Sequence, residues 1–237
     1  MSNLENHYDD SFYKGQASSS EQSALQTLPH LFDLINPQSV IDFGCGVGTW
    51  LKASKDLGAT KLNGVEGPWV KQEQVIDPDI TLTNTNFDSP QLPEGKWDLA
   101  ISMEVAEHIE TKSSKNFVKG ICSAADTVIF SAAIPGQYGE NHINEQWQSF
   151  WADLFRAEGY EAFDLIRPQI WKNQKIEWYY RQNVLVYCKP GSTHYDAIKT
   201  KSLEVSSRLF DIVHPEVFSE RITVRGGLTS IKKGLLK

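Results

Sequence analysis

The sequence predicts an α/β fold: a doubly wound, mostly parallel sheet with helices on both faces. Three observations carry this. Short apolar strands alternate with amphipathic helices through the first 190 residues, the pattern of stacked βαβ units. One strand, Val40 to Phe43, runs through three glycines at alternate positions, Gly44, Gly46 and Gly48, into a helix; such a turn builds a ligand pocket at the end of a parallel strand. Thr127 to Ala133 is almost continuously apolar, as expected of a strand covered on both faces.

Taken in order, residues 1–23 are polar, interrupted by Tyr8, Phe12 and Tyr13, and read as a short lid or docking segment. Leu25, Leu28, Leu31, Phe32 and Ile35 follow the helical period, so one helix is expected over 25–35, ended by Pro37. Strands are expected at 39–43, 61–66, 80–87, 97–102 and 127–133. Helices are expected from Thr49 to near Gly58, around Phe117 to Cys122, and over 145–158, where Trp147, Phe150, Trp151, Leu154 and Phe155 share a face and Gly159 stops the run. Residues 160–165 and 184–187 read as a final antiparallel ribbon. Leu203, Val205, Leu209, Phe210 and Ile212 suggest one more helix in a tail of different composition. The expected organisation is an N-terminal segment with the first helix at 1–34, one domain at 35–190 and an extension at 191–237. The extension holds eight Lys or Arg against five Asp or Glu and is read as packing on the core or on a partner.

The 237 residues, 40% apolar, suit one domain with a substantial core. The net charge of −7 argues against nucleic acid or an anionic membrane as partner. Cys45, Cys122 and Cys188 are widely spaced and odd in number, so structural zinc and disulfides are not expected, and a reducing, cytoplasmic compartment is. The first ten residues have no basic or apolar run of a signal peptide, and no apolar run is long enough to span a membrane.

Gly44, Cys45 and Gly46 form the turn expected to meet a cofactor, because glycine lets backbone approach a ligand closely. Such turns serve both dinucleotide enzymes and S-adenosylmethionine methyltransferases. Three details favour the second. Asp42 precedes the glycines, where a carboxylate can hold a cationic amino-acid moiety. Thr49 stands where the dinucleotide fingerprint needs its third glycine. No sequence remains for a large second substrate domain. Glu66 ends the second strand, placed to accept from two ribose hydroxyls; Asp88 follows the third, placed for an adenine amino group or as an ordinary turn former.

The first motif VIDFGCGVGTW (40–50), GVEG (64–67) and WDLAISMEVAEH (97–108) together resemble the class I S-adenosylmethionine-dependent methyltransferases over about residues 35–190. The resemblance implies a Rossmann-like, seven-stranded, mostly parallel sheet with an antiparallel last strand, methyl transfer from the sulfonium cofactor, and Asp42, Gly44, Gly46, Glu66 and Asp88 lining that cofactor.

Glu104-Val-Ala-Glu-His108 follows the fourth strand. If helical, it sets Glu104, Glu107 and His108 on one face, an oxygen and nitrogen set suited to magnesium, manganese or iron. His142 lies in the loop after the fifth strand, at the same sheet edge. This block resembles that of the methyltransferases acting on the terminal 2'-hydroxyl of small RNAs and on catechol-like hydroxyls of ubiquinone synthesis. The resemblance implies Glu104, Glu107, His108 and His142 as ligands of Mg2+ or Mn2+; the surrounding sequence departs from the RNA enzymes. Without metal, His108 or His142 serves as general base, and a loop histidine holding backbone is the plainer reading.

Trp69 is placed to cover adenine or to pack on the sheet edge. Gln137 and Tyr138 follow the small residues 131–136 near the acceptor. Glu145 is expected as a first-turn acid of its helix. The stretch 177–182 offers an aromatic rim for a sugar or a dimer face, and Arg167 and Arg181 are candidates for an anionic substrate group. The leading expectation is O-methylation of a small or carbohydrate-like hydroxyl, with Glu104, His108 and His142 as catalytic groups. The alternatives are metal-independent N- or C-methylation, RNA terminal 2'-O-methylation, and a non-catalytic cofactor-fold protein acting through the extension. A homodimer through the extension or the rim fits the same features.

Overall fold

The computed structural model describes residues 10–88, 92–202 and 210–217, with side chains from residue 18. Tyr8 and residues 203–209 lie outside the described residues, as do the side chains of Phe12 and Tyr13. The chain runs α1 (Asp10–Thr27), α2 (Pro29–Ile35), β1 (Ser39–Phe43), α3 (Thr49–Asp56), β2 (Lys61–Glu66), β3 (Ile80–Asn84), β4 (Leu99–Met103), α4 (Ser114–Ala124), β5 (Thr127–Ser131), α5 (Gln148–Ala157), β6 (Glu161–Phe163), α6 (Arg167–Ile170), α7 (Trp178–Asn183), β7 (Leu185–Cys188) and α8 (Tyr195–Lys201). The seven strands form one sheet in the order β3-β2-β1-β4-β5-β7-β6. All neighbours are parallel except β7, antiparallel to both β5 and β6.

Alternation along the strands sorts the core into two layers. Val40, Leu62, Leu99, Ile101, Ile129 and Val186 join the layer shared with Leu31, Trp50 and Ile198. Ile41, Phe43, Val65, Ala100, Val128 and Phe130 join the layer shared with Phe117 and Phe155. Strand order reverses between β1 and β4, so the loops after β1, β2, β4 and β5 open together at the carboxyl edge, where such sheets bind ligands.

Several expected boundaries are corrected. The single helix over 25–35 is two, because Pro29 has no N–H to continue the ladder and instead opens α2; α1 begins well before it. The third and fifth strands end at Asn84 and Ser131, sooner than expected, and the fourth is shifted to 99–103. Helix α5 starts at Gln148, so Glu145 is no first-turn acid. That role falls to Asp211, which accepts from the Ser149 N–H at 2.8 Å and its hydroxyl at 2.7 Å. Phe210 and Ile212 are not helical; Phe210 is buried in the second layer, so the described part of the tail packs on its own chain.

Candidate active site

One lip of the carboxyl edge is built by β1 and β2. The Gly44 N–H donates to Val65 O at 2.8 Å, and its φ of +79° is one that L side chains rarely adopt. A methyl group there would collide with Val105, so this glycine lets the turn close on the loop after β4. Gly46 also has positive φ, but open space lies beside it. Glu66 ties the turn together. One oxygen accepts from the Gly46 N–H at 2.9 Å, the other from the Gly67 N–H at 2.8 Å. Burial raises its pKa, and those two amides oppose the shift. Asp42 is buried at the strand end, its pKa pushed well up by burial and by the Glu66 charge.

The Cys45 side chain is buried against Gly64, and its thiol donates to the Gly46 carbonyl of the turn at 3.4 Å. The Trp69 ring lies against Gly67 and is 42% exposed. Asp88 is exposed, and its N–H donates to Asn86 Oδ1 at 3.0 Å in a local turn. Helix α1 is latched over the start of α3: Trp50 Nε1 donates to Ser20 Oγ at 3.1 Å, and Ser20 Oγ meets Thr49 Oγ1 at 3.0 Å.

The other lip is built by the loops after β4 and β5. The block from Glu104 is not helical throughout. The Glu104 N–H still bonds Ser131 O of β5 at 3.0 Å, then Glu104 turns left-handed at φ +56°, and only Ala106–His108 makes a 3-10 turn. The one-face arrangement of Glu104, Glu107 and His108 is therefore corrected. Glu104 is held by two amides, Gln137 Nε2 at 2.7 Å and Asn183 Nδ2 at 3.0 Å. Burial raises its pKa against those bonds.

Glu107, His108 and His142 do converge, with ligand atoms within 4.8 Å of one another. The loops meet because the Glu107 carbonyl accepts from the N–H groups of Ile143 at 2.9 Å and Asn144 at 3.0 Å. Glu107 is 0% exposed, and among the described residues neither of its carboxylate oxygens has a hydrogen-bond partner. Burial, then the charge of Glu104, pushes its pKa well up; the amides of Glu107 and Ala133 pull the other way without reaching hydrogen-bond geometry. A buried, unsatisfied carboxylate is costly and calls for a cation or a proton.

Each imidazole has one nitrogen already engaged. His108 Nδ1 lies 3.3 Å from Asn141 O, and His142 Nδ1 lies 3.1 Å from Glu145 Oε1. Both partners only accept, so both Nδ1 atoms carry hydrogen and Nε2 is left to the cluster. The His142 Nε2 is 4.0 Å from Glu107 Oε1, and the rings stand edge to face, 5.0 Å apart. The pKa of His108 is lowered by burial of its ring and by His142, although the residue keeps an exposed edge. Glu145 is fixed in turn by the N–H groups of Gly136 at 2.8 Å and Tyr138 at 2.6 Å.

Arg167 and Arg181 are not free for substrate. Arg167 is buried on Asp164, Gln182 O and Phe210 O, and Arg181 holds Trp171 O and Glu216. Glu145, Asn141 and Asn183 line the candidate site in roles that the sequence did not point to; isolated polar residues in loops, or at a helix end like Asn183, carry no periodic signal.

The family model described as a methyltransferase domain matches residues 17–150. The chain belongs to that family. It is a class I, S-adenosylmethionine-dependent methyltransferase. Solved structures similar to this methyltransferase include the methyltransferase domain of bacterial CtHen1-CN, 20% identical, with a TM-score of 0.55 over 70% of this chain and 98% of that one. DesVI of Streptomyces venezuelae is 14% identical, with a TM-score of 0.56 over 76% and 96%. Magnesium protoporphyrin IX methyltransferase of Synechocystis PCC 6803, with SAH bound, is 15% identical, with a TM-score of 0.54 over 78% and 90%. At these identities the likeness is one of fold. No curated protein matches the methyltransferase sequence. Among the described residues, no helix is long and apolar enough to cross a membrane.

Proposed function

We propose that the enzyme transfers the methyl group of S-adenosylmethionine to a hydroxyl of a small or carbohydrate-like molecule, with a divalent cation held by Glu107, His108 and His142. The observation that supports this most is the buried Glu107 carboxylate, both oxygens unsatisfied, facing two imidazoles whose Nδ1 atoms are already spent. One carboxylate and two imidazoles suit Mn2+ or iron(II) better than Mg2+, which prefers oxygen donors. Such a cation supplies a lowered hydroxyl pKa and orientation of the acceptor.

The chain's own residues do the rest. Asp42, Glu66 and the open backbone of Gly44, Cys45 and Gly46 hold the donor, with Asp88 and Trp69 at its adenine end. Transfer forms an O–C bond, breaks the C–S bond and releases the hydroxyl proton. With the cation bound, both imidazoles are spent as ligands, and Glu104 is the proton-accepting group on the acceptor lip; without it, His108 or His142 takes that role. Position contributes as much as chemistry, since the oxygen must stand in line behind the methyl. The net charge of −7 disfavours an RNA backbone as acceptor.

A second reading is metal-independent transfer, favoured by the His142–Glu145 pair, which also has the form of a general base with its orienting acid. Methyl transfer from labelled S-adenosylmethionine into a cell-extract acceptor fraction separates the two. Activity lost on chelation and restored by Mg2+ or Mn2+ supports the first; activity unchanged throughout sinks it.

A further inference from the structure

A directed chain of amides connects the C-terminal segment to Glu104. The His214 N–H donates to Gln182 Oε1 at 2.8 Å. Gln182 Nε2 donates to Asn183 Oδ1 at 3.0 Å. Asn183 Nδ2 donates to Glu104 Oε1 at 3.0 Å and to Gln137 Oε1 at 2.9 Å. Gln137 Nε2 completes the loop on Glu104 Oε2 at 2.7 Å. The ends fix the polarity, because a backbone N–H only donates and a carboxylate only accepts. Gln182, Asn183 and Gln137 are 0%, 2% and 6% exposed, so water offers them little competition.

The far end is itself pinned. His214 Nε2 lies 2.9 Å from Trp171 O, and the Glu216 N–H reaches His214 Nδ1 at 3.3 Å. The Gln182 carbonyl receives Gln148 and Arg167, and Arg167 also binds Phe210 O. Glu104 and Gln137 hold the Asn183 amide on its Nδ2 side, and among the described residues Gln182 Nε2 is the donor that holds its Oδ1 side, so without Gln182 the amide is fixed from one side alone. A flipped amide would present oxygen to the Glu104 carboxylate.

We propose that residues 210–217 are a positioning element of the active site, acting through Gln182 and Asn183 to fix the rotation of the Glu104 carboxylate. This rests on the proposed function only in placing Glu104 on the acceptor lip. The segment is then no detachable appendage to a 35–190 domain.

Side-chain amide NMR on the full-length protein tests it, with Gln182→Met keeping the volume but not the relay. Asn63→Leu is the control, since it removes a buried amide bonded to Thr83 on β2, away from the site. Gln182→Met is expected to speed exchange of the Asn183 amide protons by about tenfold or more. Turnover into the extract fraction falls by about tenfold, with KM for S-adenosylmethionine within about twofold. Asn63→Leu does neither. Should Gln182→Met not fold, Glu104→Gln reads the relay from its other end, shifting the Asn183 and Gln182 amide signals. Unchanged Asn183 exchange or signals overturns the relay. Faster exchange with unchanged turnover overturns the positioning role. Loss of metal dependence alone, with both effects intact, counts only against the cation.

Discussion

His142 gives its Nδ1 hydrogen to Glu145 across 3.1 Å, and this contact leaves the other ring nitrogen 4.0 Å from the buried Glu107 carboxylate. Glu145 is ionised for the purpose. Burial would raise its pKa, but His142 and the amides of Gly136 and Tyr138 hold it below the usual range. The carboxylate–histidine pair is the arrangement by which proteins fix the tautomer of a metal-binding imidazole.

Glu145→Gln therefore weakens Mn2+ binding by about 10–100-fold while the protein stays folded. Glu107→Gln abolishes binding. Glu104→Gln costs less than either, because Glu104 lies outside the three-residue cluster and is bonded to Gln137 and Asn183. Calorimetric titration with Mn2+ checks the order; equal losses at Glu104 and Glu107 would count against the three-ligand site.

The two glycines of the turn separate stability from donor binding. Gly44→Ala meets both positive φ and the Val105 side chain, so it costs about 2–4 kcal/mol in urea unfolding. Gly46→Ala meets only the backbone conformation and costs about 1–2 kcal/mol. Its methyl group enters the space reserved for the donor, so the Kd for S-adenosylmethionine rises by about tenfold or more. Wild-type affinity in Gly46→Ala would remove this turn from the donor site.

Glu66→Ala leaves the N–H groups of Gly46 and Gly67 without their acceptor. The expected loss is about 1–3 kcal/mol of stability. Affinity for S-adenosylmethionine and for adenosine is expected to fall in parallel, since the proposed contact of Glu66 is to the ribose. Affinity for methionine alone is unaffected, and competition binding reads the difference.

Asp98 makes a pH prediction independent of the site. Burial raises its pKa, but the N–H groups of Ser39 and Gln38 and the Ser39 hydroxyl outweigh that and leave it lowered. A carboxyl lowered in the fold contributes stability above its unfolded value of about 3.9 and loses it as pH falls through the folded value. Asp98→Asn is thus less stable than wild type by about 1 kcal/mol near neutral pH, and the gap narrows in acid. A gap independent of pH contradicts the assignment.

The fold was legible because its signals are local and periodic. The apolar run ending at Phe43, the glycines after it and Glu66 at the end of β2 identify strand ends without tertiary information. The tail was not legible: Phe210 enters the core and Asp211 caps α5, and neither is announced by periodicity. The geometry after β4 was half legible. The spacing brought Glu107, His108 and His142 to one sheet edge, where they converge, but the block is not one helical face: Glu104 turns left-handed and stays outside that cluster, although its charge still reaches Glu107. Arg167 and Arg181 stood out as cations for a substrate, whereas both are buried on carbonyls and carboxylates of their own chain.

A crystal structure with S-adenosylhomocysteine and saturating Mn2+ reads directly whether a cation stands beside the methyl donor. An anomalous peak is expected among Glu107, His108 and His142, with Glu104 still on Gln137 and Asn183. Density for the nucleoside in the glycine turn, with no anomalous peak at those three side chains, would contradict the cation site.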